Sequence, residues 1–245
     1  MSRNNQRRHS KHCHLCGSRL WGGGWVYVPN GESEQQAIVV CGRCQETALR
    51  CAVCGVPVGS RRVQLPDGRC ICLRCGQTAI YDPARARALF ERVVRVVTDQ
   101  LGLALNVGAD FALVDPQHLR RLAQEVQPLP HGETDQIVGL CVRKGRRRMM
   151  YLLSGLPQIL FIQTVAHEWA HAWQGENCPL LRDPIVREGF AEWVAYKALQ
   201  ALGATKKTAL MKEREGLYGD GLRKMLHLEE THGISGVLAF CRRSE

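Results

Sequence analysis

Residues 157–173 read PQILFIQTVAHEWAHAW, and this stretch decides the fold of the second half of the chain. It is apolar over most of its length and begins with proline, which predicts a long buried helix. The helix carries His167, Glu168 and His171 as an HExxH motif. Because an i, i+4 spacing puts both imidazoles on one helix face, two neutral histidine nitrogens could bind one zinc ion.

A third candidate ligand follows on the next predicted helix. Glu188 lies 17 positions beyond His171 and would complete a site of two histidines and one carboxylate with an open fourth position. Glu192, one helical turn later, is the rival ligand, and otherwise it could orient a ligand imidazole. Glu168 is rotated to the neighbouring helix face, from which it can reach a zinc-activated water and accept its proton.

The chain has twelve cysteines, and eight of them form four CxxC pairs: Cys13/Cys16, Cys41/Cys44, Cys51/Cys54 and Cys72/Cys75. Pairs of this kind in a reducing compartment indicate zinc rather than disulfides. Since two pairs complete one closed four-cysteine site, we expect two structural zinc modules. Cys70, His12 and His14 remain alternative ligands. The other three cysteines are assigned to packing: Cys141, Cys178 and Cys241.

Each zinc module is predicted to contain a β-hairpin. In the first module the strands are residues 25–28 and 38–40, with a turn near Asn30-Gly31. In the second module they are residues 58–65 and 69–73, joined by a Pro-Asp-Gly turn. Apolar strands on either side of such turn residues are typical of hairpins.

Composition places the chain among ordinary globular proteins, with 245 residues, 45% hydrophobic and 23% charged. No apolar run reaches the roughly 18 residues of a membrane span, so no membrane partner is expected. The polar, basic N-terminus does not read as a secretory signal, which makes the cytoplasm the expected location. A net charge of +10 invites nucleic-acid binding, but aromatic residues are only 6% and the basic residues are spread along the chain.

Three ranges are expected along the chain: a disordered basic leader at 1–12, the paired zinc modules at 13–80, and a second domain at 81–245. In the second domain three Asp-Pro pairs each predict the start of a helix, because the aspartate can serve as N-cap and the proline as first helical residue. The pairs are Asp82-Pro83, Asp115-Pro116 and Asp183-Pro184.

The remaining segments of the second domain make it a mixed α and β structure. Residues 111–114 predict a short strand, and residues 137–142 with 149–153 predict a β-hairpin. Residues 128–132 are rich in proline and glycine and indicate a loop. The basic run 146–148 reads most simply as a solvated turn, with a binding patch as the alternative. Short helices are expected after Gly203, and the fold class is α+β, mostly helical with a small antiparallel sheet.

The order of these motifs resembles the LIM-linked, ubiquitin-activated zinc peptidases that limit organ size in plants, which are glutamate-type zincins. We interpret the chain as a bacterial-type relative of them. The resemblance covers roughly residues 51–240. It rests on five features: GLP at 155–157, the AHE and HAW of 166–173, EG at 188–189, YGDG at 218–221, and upstream GLC at 139–141 with the second zinc module.

This resemblance implies a zincin-like metalloendopeptidase with one catalytic and two structural zinc ions. His167, His171 and Glu188 would hold the catalytic zinc, and Glu168 would act as general base. A second hydrogen-bond donor to the reacting carbonyl should also exist.

Tyr218 is the first candidate for this donor, because the resembled family shares its Tyr-Gly-Asp-Gly context, although the segment could also be a simple turn. His227 and His232 are the other candidates. A protein or peptide substrate is implied, and an extended substrate could add as a strand to the hairpin before the HExxH helix. The zinc modules could recognise the substrate or a protein partner.

Two departures from the resembled family limit what carries over. Six residues separate Cys44 from Cys51, whereas two separate the zinc sites of a LIM domain, so the first module is only LIM-like. Twelve residues precede Cys13, so ubiquitin-interacting helices are not expected and ubiquitin activation is not carried over. Two other functions stay open: a zinc-ribbon protein that binds nucleic acid, and a protein-interaction adaptor with a vestigial peptidase domain.

Overall fold

The computed structural model describes residues 10–29, 34–126, 137–144 and 147–244. The chain forms two compact units, of which one ends at Thr78 and the other begins at Ala79. Several sequence predictions fall wholly or partly outside the described residues: the leader before residue 10, the turn at Asn30-Gly31, the loop at 128–132 and the first residue of the basic run at 146–148.

The first unit is built from three short antiparallel strand pairs. The pairs are β1 (Trp25–Tyr27) with β2 (Ile38–Val40), β3 (Leu49–Arg50) with β4 (Pro57–Val58), and β5 (Arg62–Gln64) with β6 (Cys70–Cys72). Two short helices, α1 (Gly42–Thr47) and α2 (Leu73–Gly76), follow β2 and β6. Both predicted hairpins are present, as β1–β2 and β5–β6.

The second unit consists mainly of helices. They are α3 (Pro83–Leu101), α4 (Pro116–Val126), α5 (Gln158–Asn177), α6 (Pro184–Ala201), α7 (Thr205–Lys212) and α8 (Gly216–Arg243). Three of them begin at the predicted Asp-Pro pairs. In each case the aspartate carboxylate accepts hydrogen bonds from backbone N–H groups of the first turn, as an N-cap does.

The sheet of the second unit differs from the antiparallel sheet that was predicted. Its strands are β7 (Ala109–Val114), β8 (Gly139–Lys144) and β9 (Arg147–Leu153), in the order β7-β9-β8. The β8–β9 hairpin is antiparallel, as expected, but β7 pairs with β9 in parallel. The sheet is therefore mixed, because the chain crosses over through α4 after β7 before the hairpin begins. Within the described residues β8 lies at the edge.

Helices α5 and α6 form the centre of the second unit and are buried on most of their faces. Trp173 of α5 stacks on Phe190 of α6, with ring centroids 5.3 Å apart. One turn earlier on α5, the indole N–H of Trp169 donates to the Leu103 carbonyl at 2.7 Å. Among the described residues, none of the helices combines the length and apolar character that crossing a lipid bilayer requires.

Helix α7, with eight residues, is a short helix as predicted after Gly203, whereas helix α8 is longer. It runs for 28 residues, with a break at Gly233, whose φ of 66° lies in the left-handed region. Its first turns contain the Tyr-Gly-Asp-Gly sequence, which is helical rather than a turn. Gly221 of α8 lies against Gly189 of α6, and a Cβ on either one would come within 2.6 Å of backbone atoms of the other. The two helices can cross at this distance only because neither residue has a side chain.

We expect Gly221→Ala to lower the free energy of unfolding by about 1–3 kcal/mol, because the added methyl must push α8 away from α6. Thermal unfolding followed by circular dichroism measures the loss. Gly108→Ala is the matched control, since a Cβ at Gly108 meets no atom within 4 Å. A Gly221→Ala protein that melts at the same temperature as the Gly108→Ala protein would contradict the close crossing.

Candidate metal centre

The two histidines of the HExxH motif lie one turn apart on α5 and point to the same place. Their Nε2 atoms are 3.1 Å apart. Glu188 of α6 reaches the same place, with Oε2 at 3.4 Å from His167 Nε2 and 3.5 Å from His171 Nε2. A tetrahedral zinc with bonds of about 2.0–2.1 Å separates its ligand atoms by roughly 3.3 Å. His167, His171 and Glu188 therefore fit a zinc ion of the predicted kind.

Each of these three side chains is held by a second contact on its other polar atom. Glu192 Oε1 accepts from His167 Nδ1 at 3.2 Å, which is the orienting role proposed for it as the alternative to a ligand. Gln174 Oε1 accepts from His171 Nδ1 at 2.9 Å. Contacts of this kind fix the ring orientation and leave Nε2 for the metal.

The third such contact is made by the guanidinium of Arg187, which donates to Glu188 Oε1 from Nε at 3.1 Å and from Nη2 at 3.0 Å. Neither Arg187 nor Gln174 was identified from the sequence. Both lie within a turn of a ligand, so their proximity to the motif was the only available signal.

The electrostatics of the metal-free centre follow from burial and opposite charge. Burial lowers the pKa of His167, but hydrogen bonds to Glu188 and Glu192 outweigh it and raise the pKa to about 10. Burial raises the pKa of Glu188, but the contacts with His167 and His171 outweigh it and hold the pKa well below its usual range. Without a metal, a proton on His167 thus offsets part of the negative charge of the buried carboxylates.

Glu168 lies beside the ligand set and is buried, with 7% of its surface exposed. The edge strand β8 passes directly against it, and a Cβ at Gly139 would lie 3.0 Å from Glu168 Oε1 and 2.3 Å from Thr164 Cγ2. Only glycine therefore lets β8 approach the helix at this level. The candidate base thus packs against the strand that lies at the edge of the sheet within the described residues.

Tyr218 of α8 lies close to the ligand set. Its ring centroid is 6.2 Å from that of His167, and the Arg214 guanidinium lies 4.6 Å from the same tyrosine ring. Burial and the nearby glutamates raise the pKa of Tyr218, so its hydroxyl keeps its proton at neutral pH. The alternative donors, His227 and His232, are exposed on α8 and do not belong to the ligand group.

The eight paired cysteines form two clusters in the first unit, one from the first two CxxC pairs and one from the last two. The Cys16 and Cys41 sulfurs lie 3.8 Å apart and those of Cys54 and Cys72 lie 3.9 Å apart. Four Zn–S bonds of about 2.3 Å would set this separation at roughly 3.8 Å. Each cluster could hold one zinc ion.

The alternative ligands of the zinc modules do not belong to either cluster. His14 Nδ1 instead accepts a hydrogen bond from the backbone N–H of Val39 at 2.9 Å. Cys70 lies on β6 outside the group of four sulfurs. The clusters thus contain cysteine alone among the described residues.

A small pocket adjoins the candidate metal centre and corrects one sequence prediction. It has a volume of about 280 Å³ and is lined by Cys141, Arg143, Arg148, His171, Ala172 and Gly175. Arg148, predicted to lie in a solvated turn, is 7% exposed. Of the three cysteines assigned to packing, Cys178 and Cys241 are buried, and Cys141 is half-buried and lines this pocket.

The chain is similar to two curated plant proteins. It is 26% identical to Protein DA1 of Arabidopsis thaliana over 231 residues, which cover 82% of this chain and 42% of that protein. It is also 26% identical to Protein DA1-related 1 of Arabidopsis thaliana over 187 residues, which cover 62% of this chain and 33% of that protein. The chain is a distant relative of both and spans less than half of their length. Whether it is of a bacterial type stays a prediction.

No protein-family model matches the chain, and no solved structure matches it. The assignment of the centre therefore depends on its own geometry.

We expect three zinc ions per chain, and Glu188→Ala should reduce this number to two because only the open site loses a ligand. Elemental analysis after purification without chelators measures the count. Glu192→Ala is the matched variant one turn away, and it should keep three zinc ions with an affinity for the third that is about 10–100-fold lower. If Glu192→Ala loses the third ion and Glu188→Ala keeps it, the ligand assignment is reversed.

Proposed function

We propose that this protein is a zinc-dependent metalloendopeptidase that cleaves protein substrates. The observation that carries the proposal is the convergence of His167, His171 and Glu188 beside a buried Glu168. Three protein ligands with an open position are the arrangement of catalytic rather than structural zinc sites. A carboxylate next to them, but outside the ligand set, supplies the general base that hydrolysis needs.

Zinc held by these three residues would supply Lewis-acid activation of a water molecule and of the scissile carbonyl. Glu168 accepts the proton of that water and then donates it to the leaving amine. Glu192 and Gln174 keep the imidazoles of His167 and His171 oriented throughout. The site therefore performs peptide hydrolysis with one proton carrier and rigidly held ligands.

Tyr218 is proposed as the hydrogen-bond donor to the carbonyl oxygen, where negative charge develops during the attack. Its ring centroid is 6.2 Å from that of His167, and its raised pKa keeps the hydroxyl protonated. A donor placed at that oxygen contributes to catalysis because the hydrogen bond strengthens as the charge forms.

The substrate is proposed to bind in extended form along β8. Within the described residues this strand pairs only with β9, so its other edge can accept a further strand. Gly139 brings β8 against Glu168, so a peptide paired with β8 would run close to the candidate base. This arrangement suits an endopeptidase, because an edge strand accepts an internal segment of a chain.

The two four-cysteine modules are proposed to recognise the substrate or a protein partner in a reducing, cytoplasmic setting. The adaptor alternative, with a vestigial peptidase domain, explains the modules but gives no reason for a buried Glu168 beside a complete ligand set. The nucleic-acid alternative explains the net charge of +10 but not the metal centre. Hydrolysis accounts for more of the observations than either.

We expect Glu168→Gln to keep three zinc ions and the fold but to lose peptide hydrolysis, because the amide has the size of the carboxylate but cannot accept the proton. Cleavage of denatured casein and of a peptide library, read by mass spectrometry, measures activity. His167→Ala is the companion variant and should lose the catalytic zinc as well. Cleavage by Glu168→Gln at the wild-type rate would rule out this mechanism in favour of the adaptor.

Tyr218→Phe should lower kcat by roughly 10²–10³-fold, the usual effect of removing one donor to the developing charge. Zinc content and KM should stay near the wild-type values, because the donor acts on the transition state. His227→Ala, which changes an exposed residue of the same helix, is the control. A Tyr218→Phe protein with unchanged kcat would remove Tyr218 from the mechanism.

A further inference from the structure

The pocket beside His171 contains a buried charge that the proposed mechanism does not use. Arg148 lies on β9 with 7% of its surface exposed, and its Nε has no hydrogen-bond partner among the described residues. Its nearest carboxylate belongs to Glu176, whose Oε1 is 4.0 Å from Nη2, and the other oxygen of Glu176 accepts from the Asn106 N–H at 2.8 Å. The Nε–H of Arg148 and the Oε1 of Glu176 thus both lack a hydrogen-bond partner among the described residues.

A second arginine faces the same pocket. Arg143 of β8 lies directly opposite Arg148 of β9 in the antiparallel register, so both side chains lie on the same face of the sheet. Like charges placed directly opposite each other in a sheet are destabilising, and the two guanidinium groups together make this end of the pocket positive. Cys141, the next pocket residue along β8, has a pKa raised to about 12, chiefly by burial, so it is a neutral thiol and adds no negative charge.

The wall of the pocket opposite the arginines is made of small residues of α5. Ala172 and Gly175 line it, and a Cβ at Gly175 would still lie 3.6 Å from Arg148 Nη2. The volume of about 280 Å³ is below the roughly 300–1,000 Å³ typical of small-molecule sites, so it suits one side chain or chain end. His171, a proposed zinc ligand, forms part of the same wall.

We propose that this pocket is a subsite for a substrate carboxylate, read by Arg148 and Arg143, and that it directs cleavage to peptide bonds near an acidic group. This inference rests on the proposed peptidase function. A peptide added to the edge of β8 places alternate side chains on the face of the sheet that carries Cys141 and Arg143. A carboxylate there accepts parallel hydrogen bonds from the fork of a guanidinium, which satisfies the unused Nε of Arg148.

The carboxylate could come from an Asp or Glu side chain or from the C-terminus of the substrate. The structure favours the side chain, because the edge of β8 can accept an internal segment of a longer chain. The test uses alanine-based decapeptides that carry one Glu or one Gln at each position in turn, each made with a free and with an amidated C-terminus.

For the zinc-loaded wild type, kcat/KM should be roughly 10–100-fold higher for the Glu than for the Gln peptide at one position near the cleaved bond, as expected for a hydrogen bond to a charged group. Arg148→Met should bring this ratio close to one. The matched control is Arg147→Met, which removes an exposed arginine on the other face of β9 and should keep the ratio. If kcat/KM instead depends on whether the C-terminus of the peptide is free or amidated, the pocket binds the C-terminal carboxylate and not an acidic side chain.

Two further measurements keep the outcomes separate. Arg143→Met, at an exposed position, should lower the Glu/Gln ratio even if Arg148→Met does not fold. Binding of the same peptides to the Glu168→Gln protein by calorimetry does not need turnover. If the Glu168→Gln protein binds Glu peptides more tightly than Gln peptides, but the zinc-loaded wild type cleaves neither, the peptidase function is overturned and the subsite is supported. Equal binding and equal cleavage of Glu and Gln peptides would overturn the subsite alone.

Discussion

The second unit depends on the burial of three carboxylates around one helix. Glu168, Glu188 and Glu192 are each 5–7% exposed, and an unpaired carboxylate in such a place costs several kcal/mol. His167 partners two of them, Glu188 through Nε2 and Glu192 through Nδ1. Because one imidazole bridges two glutamates a turn apart, α6 can neither rotate nor slide against α5 without breaking one contact. The helix pair is thereby fixed at the place where a metal would bind.

Helical periodicity explains why much of this centre could be predicted from the sequence. In a helix, a spacing of four residues gives a direction as well as a distance, so the HExxH motif and the pair Glu188 and Glu192 each define a face. The Asp-Pro pairs also predicted helix starts, because a capping carboxylate followed by proline acts within one turn. These signals are local, and the structure has helices where they indicated them.

Contacts between distant elements had no comparable signal. Arg148 belongs to a basic run that resembles a solvated turn, and only the pairing of β9 with β8 shows that it faces inward. The parallel pairing of β7 depends on a crossover, which local patterns do not encode. The glycines of 218–221 suggested a turn because glycine disfavours helices by propensity. Tertiary packing overrides that propensity, since α6 leaves no space for a side chain.

The contact between Gly189 and Gly221 also constrains how this sequence can diverge. Each glycine touches the backbone of the other helix, so a substitution at one position cannot be accommodated by a smaller neighbour at the other. Packed residues usually diverge through paired substitutions, in which one side chain becomes larger and its neighbour smaller. This pair cannot change in that way. Glu188, the proposed third ligand, is adjacent to Gly189, and Tyr218 lies three residues before Gly221. The close helix crossing therefore requires glycine at both positions near these residues, even when other side chains of the site change.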